Sequence, residues 1–130
     1  MLNLLKILLI NNNLVFSETL KKQLENTGEF EIEITSIEKS INKLKEQYFN
    51  LIILEVIPEK NGFELLKFVQ ENKDILKNPQ IQTIILTEHA CLKNAVQSIK
   101  LGAADFVSQP YDIVDLQTTI QKVLETEIAY

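Results

Sequence analysis

The strongest constraint on this chain is an alternation of two periodicities, repeated five times. Leu4–Ile10, Leu51–Leu54 and Ile81–Leu86 are runs dominated by apolar residues. Runs of that length and character mark strands covered on both faces. Glu31–Thr35 instead alternates charged and apolar residues, which predicts a half-exposed edge strand, and Ala104–Val107 predicts a short fifth one. Between them lie helical patterns at Ser17–Asn26, Ile37–Gln47, Phe63–Asn72, Leu92–Leu101 and Asp112–Glu125. Their inward stripes are Phe16, Leu20 and Leu24; then Ile37, Ile41 and Leu44; then Phe63, Leu66 and Val69; and in the last helix Leu116, Ile120 and Leu124. Thr27-Gly28 and Gly102 are helix stops, while Pro58, Asn61-Gly62 and Asn78-Pro79 are breaks.

Five strand–helix units in succession predict a parallel sheet with helices on both faces. One half-exposed strand beside three buried ones suggests the flavodoxin-like order 2-1-3-4-5. At 130 residues, with no repeat or linker, the expectation is one α/β domain over residues 1–130, with no effector domain in view. Thirteen basic against eighteen acidic side chains give a net charge of −5, which argues against direct nucleic-acid binding. The lone Cys91 fits a reducing compartment, and no apolar run is long enough to span a membrane, so the expected location is cytoplasmic.

Open parallel sheets bind ligands beyond the carboxyl ends of their strands. Here those ends are Asn11-Asn12-Asn13, Glu55, Thr87 and Ser108-Gln109. The asparagines also suit a plain polar turn or helix cap. Glu55 and Thr87 also read as ordinary strand-end residues, and Phe106 and Tyr111 as packing residues. His89 and Cys91 read as a loop residue and a small semi-buried side chain rather than metal ligands. A flavin site is set aside, because the first loop lacks the Ser/Thr/Gly-rich character that would cradle a phosphate.

LIILE (51–55) followed by PEKNG (58–62), IILT (84–87), LGAADF (101–106) and QPYD (109–112) stand in order along the chain. With these motifs the chain resembles, over nearly its full length, the receiver domain of bacterial two-component response regulators. That resemblance implies an acidic pair holding Mg²⁺ after the first strand, a phosphoacceptor Asp ending the third and a Thr or Ser ending the fourth. It also implies a Lys before a cis proline after the fifth strand, and an aromatic switch residue. Thr87 and Phe106 match. The acidic pair falls on Asn11 and Asn12, the acceptor on Glu55, and the Lys on Gln109 preceding Pro110. The connection from Glu55 to Gly62 is one residue short of the pattern.

Mg²⁺ favours carboxylate ligands, so two amides leave Glu55 as the one aligned anion, with Glu59 and Glu88 on nearby loops. Mg²⁺ binding is therefore expected to be weak or lost, with no cofactor and no catalytic activity. Glu55 carries its carboxylate roughly 1.5 Å further than Asp would. It is therefore expected to stand in for a phosphoryl group, drawing Thr87 toward it, with the Gln109 amide bonded to Glu55 or Asn12 and Phe106 turned inward. The resemblance thus implies a degenerate receiver (a pseudo-receiver) acting through protein–protein contact. Its partner would be a histidine kinase, a phosphotransfer protein or a downstream effector. The expected working surface is the face of the fourth helix, fifth strand and fifth helix, which would also serve a homodimer. The alternative is a receiver still phosphorylated on Glu55 or a neighbour.

Overall fold

A computed structural model describes residues 4–11, 14–56, 62–87 and 92–128. Its strands are β1 (Leu5–Ile10), β2 (Phe30–Thr35), β3 (Leu51–Glu55), β4 (Gln82–Thr87) and β5 (Asp105–Ser108). Its helices are α1 (Leu14–Glu25), α2 (Ile37–Glu46), α3 (Gly62–Glu71), α4 (Leu92–Lys100) and α5 (Ile113–Ile128). The strands form one parallel sheet in the order β2-β1-β3-β4-β5, as expected from the alternation.

Strand parity divides the core into two layers, because successive side chains point to opposite faces. Ile7 and Leu9, Leu51 and Ile53, and Ile84 and Leu86 face one way, toward Leu20 and Leu24 of α1 and Leu116 and Ile120 of α5. Leu8 and Ile10, Ile52 and Leu54, and Ile85 face the other, toward Leu44 of α2 and Leu66 and Val69 of α3. This is why β1, β3 and β4 read as unbroken apolar sequence: both of their faces are covered. β2 buries Phe30 and Ile32 on one face and turns Glu31 and Glu33 to the other, where Glu33 pairs with Lys43 of α2 at 2.6 Å.

Most boundaries shift by a residue from the sequence reading, and the larger differences lie at α1, at α5 and after α3. α1 begins at Leu14 rather than Ser17, with Val15 pointing into solvent at 80% exposure. α5 runs on to Ile128, and a short 3₁₀ turn at Lys73–Ile75 follows α3. Gly28 and Gly102 have positive φ, 82° and 102°, so each ends a helix in the conformation that glycine adopts without strain. At Gly102 space matters as well, since a Cβ there would lie 2.8 Å from the Gln70 side chain.

Candidate functional site

The sheet register assembles the site. Ile10 lies opposite Leu54, so the next pair along β1 and β3 is Asn11 and Glu55; Glu55 in turn lies opposite Leu86 of β4. Backbone bonds extend the ladder past the strands: Asn11 N–H to Thr35 C=O (3.1 Å), Val56 N–H to Leu86 C=O (2.9 Å) and Gln109 N–H to Thr87 C=O (2.7 Å). Asn11, Glu55, Thr87 and Gln109 therefore stand along one rim, as the sequence predicts. Asn12 and Asn13 lie outside the described residues, as do Pro58, Glu59, Asn61, Glu88, His89 and Cys91.

Asn11 is 6% exposed, so it is a buried strand-end residue and not a solvated turn. Thr87 is also buried, and its hydroxyl donates to the carbonyl of Val56 at 2.8 Å. This corrects the expectation that Thr87 is drawn to the Glu55 carboxylate. A hydroxyl has one proton, and here it is given to the backbone of the next residue, which continues the β3–β4 contact.

The Gln109–Pro110 bond is cis, as the resemblance implies. The Gln109 side chain does not make the bond expected of it, however. Its Nε2 is enclosed with no hydrogen-bond partner among the described residues, so Glu55 does not receive it. Phe106 packs partly buried against the α2/α3 layer, and Tyr111 against the α1/α5 layer.

Tyr111 stands in surroundings that the sequence did not show. Its phenol pKa is pushed up to about 12, first by burial and then by the negative charge of Glu55. Both effects disfavour phenolate. Glu55 and Tyr111 thus share one electrostatic neighbourhood, although 56 positions separate them in the sequence (111 − 55). The only hint in the sequence was an aromatic directly after the proline. Beside Tyr111, a shallow groove of about 530 Å³ runs between α1 and the loop before α5, lined by Phe16, Thr19, Gln23, Pro110 and Ile113 among others.

The donor set on the described part of the rim is one amide at position 11, one carboxylate at 55, one hydroxyl already engaged at 87 and one amide at 109. Such a set is poor in the charge that a hard divalent cation requires. Among the described residues no helix is long and apolar enough to cross a membrane.

A model of the response regulator receiver domain matches residues 7–121. The chain is 32% identical over 118 residues to the transcriptional regulatory protein CrdR of Helicobacter pylori, covering 90% of this chain and 54% of that protein. It is 29% identical over 125 residues to the probable transcriptional regulator ycf29 of Pyropia yezoensis, covering 95% and 54%. It thus spans about half the length of these curated relatives. Among solved structures, a CheY-like response regulator receiver domain protein from Methanospirillum hungatei superimposes with a TM-score of 0.82 at 26% identity, over 98% of both chains.

Proposed function

The chain belongs to the response regulator receiver family of two-component signalling, and we propose that within it this is a pseudo-receiver that signals by protein contact without phosphotransfer. The observation that carries this reading is the composition of the rim. Amides stand at 11 and 109, Glu55 replaces the acceptor Asp, and Thr87 gives its proton to Val56. Phosphoryl transfer depends on positioned positive charge to offset the charge of the donor and of the transition state. Neither the carboxylates that would bring Mg²⁺ nor the lysine that would assist it stands at the matching positions, so the protein is not an enzyme and holds no cofactor there. Glu55 supplies one fixed negative charge, about half that of a phosphoryl group.

With the pocket constant, retained function falls to a surface, and the face of α4, β5 and α5 suits it. Val96 and Ile99 are three residues apart on α4 and are 43% and 51% exposed, with exposed Lys100 after them and Asp115 on α5. Two exposed apolar side chains with a lysine next to them on the same helix fit a protein contact. The partner is a cytoplasmic kinase, phosphotransfer protein or effector, or a second copy of the chain.

The test is capture of partners from the source cell. Lys100→Glu with Asp115→Lys is expected to abolish capture or self-association, with or without a small-molecule phosphodonor. Lys21→Glu with Lys22→Glu is expected to leave it intact. The reverse pattern, or capture that depends on the phosphodonor, overturns the reading.

A further inference from the structure

β2 is an open edge of the sheet, and one of its outward backbone donors is already taken by a side chain. Leu5 N–H bonds to Glu29 C=O and Asn11 N–H to Thr35 C=O, each at 3.1 Å. The β1 ladder therefore uses the backbone groups of the odd-numbered residues of β2. Alternation along the strand turns those of Phe30, Ile32 and Ile34 to the open side. The N–H of Ile32, the middle one of the three, donates at 3.1 Å to Oε2 of Glu25, the last residue of α1. We propose that Glu25 guards this edge, withholding from a second copy of the chain the central donor that strand-to-strand pairing through β2 requires.

The corner that carries Glu25 is held in place from both sides. Gly28 turns the chain, and Glu29 Oε2 accepts from Gln121 Nε2 at 2.8 Å and from Gln117 Nε2 at 3.2 Å, fixing the start of β2 to α5. The Glu25 carboxylate is thus presented to a strand whose position is set. Unpaired edges are templates for addition of another strand, and charged side chains over the edge are a common defence. The sequence FEIEIT has the β-branched and aromatic content that makes such addition favourable. The occupant is a second copy because an antiparallel pairing centred on Ile32 uses the same three residues on both sides, a closed two-fold contact. That arrangement brings the two Glu25 carboxylates to one place, so neither copy docks while both guards are seated.

Hydrogen exchange and sedimentation velocity on the full chain test this. In Glu25→Ala a species of twice the wild-type mass is expected, and at dilutions where the variant is a single copy its Ile32 amide exchanges on the order of tenfold faster, the loss of one charge-assisted bond. Glu25→Gln, whose Oε1 still accepts, is expected to keep the wild-type mass. Glu25→Ala combined with Ile34→Pro, which removes an outward N–H at an edge position where proline is tolerated, returns the mass to that of the wild type. Unchanged Ile32 exchange in the single-copy state of Glu25→Ala, a mass that stays that of one copy at every concentration, or a doubled mass that survives Ile34→Pro each overturns the proposal.

Discussion

The two ends of the sheet use polar residues in opposite ways. At the amino end, Asn50 Oδ1 accepts from Lys6 N–H at 2.8 Å while Asn50 N–H donates to Lys6 C=O. Asn78 Nδ2 donates to Phe49 C=O at 2.8 Å, and its Oδ1 accepts from Gln80 N–H. Lys73 Nζ donates to Ile81 C=O at 2.9 Å. These side chains close backbone groups that the strands leave open, so they belong to the fold. At the carboxyl end, buried Asn11 stands beside Glu55, the Gln109 amide is enclosed without a partner among the described residues, and Tyr111 is held neutral next to a carboxylate. At this end the polar side chains gather along the rim where the strand ends meet, and one of them, the Gln109 amide, closes no backbone group among the described residues. The difference teaches that an amide at the amino end latches neighbouring backbone, whereas at the carboxyl end the Gln109 amide latches none among the described residues.

Substitutions at the two ends should therefore differ in size and in sign. Asn78→Ala removes two bonds and leaves the buried Phe49 carbonyl unsatisfied, so a loss of about 2–3 kcal/mol is expected in urea unfolding. A loss below about 0.5 kcal/mol would remove the distinction between the ends. Thr87→Val keeps the shape and gives up one bond to Val56, for an expected loss of about 1 kcal/mol. Gln109→Met takes away an enclosed amide that bonds nothing among the described residues. It is expected to be neutral or stabilising by up to about 1 kcal/mol, and a clear destabilisation would show that the amide has a structural use.

The smallest effect is electrostatic. Burial and Glu55 raise the Tyr111 pKa from 10.0 to about 12. The unfolded chain therefore ionises this phenol first, and stability falls as pH rises from about 10 to about 12. Glu55→Gln is expected to lower the Tyr111 pKa by the lesser part of the shift, since burial is the larger cause. An ultraviolet titration of the phenol reads this, and an unchanged midpoint would separate Glu55 from Tyr111.

Much of this was legible in the sequence because the sheet is buried on both faces. Three apolar runs located β1, β3 and β4 and, through their ends, rim residues 11, 55 and 87; the alternation at Glu31–Thr35 and the short segment Ala104–Val107 located β2 and β5, and with β5 residue 109. The start of α1 was not legible, because Val15 points to solvent and does not extend the stripe of Phe16, Leu20 and Leu24. The turn at Lys73–Ile75 is too short to show a period. Side-chain partners were the least legible part. Thr87 finds Val56 across 31 positions and Asn78 finds Phe49 across 29, and only the register of the folded sheet brings them together. The sequence therefore indicated Thr87 as a site residue without indicating that its proton is committed to the backbone.

The central claim is that the rim has the receiver fold without the charges that phosphotransfer needs. Intact mass after incubation with acetyl phosphate and Mg²⁺ tests it most directly, on the wild type and on a variant carrying Asn11→Asp, Asn12→Asp, Glu55→Asp and Gln109→Lys. The variant regains the hard ligands, the acceptor and the ammonium together. The account predicts no added mass on the wild type and the gain of one phosphoryl group on the variant. A phosphoryl adduct on the wild-type chain would contradict it.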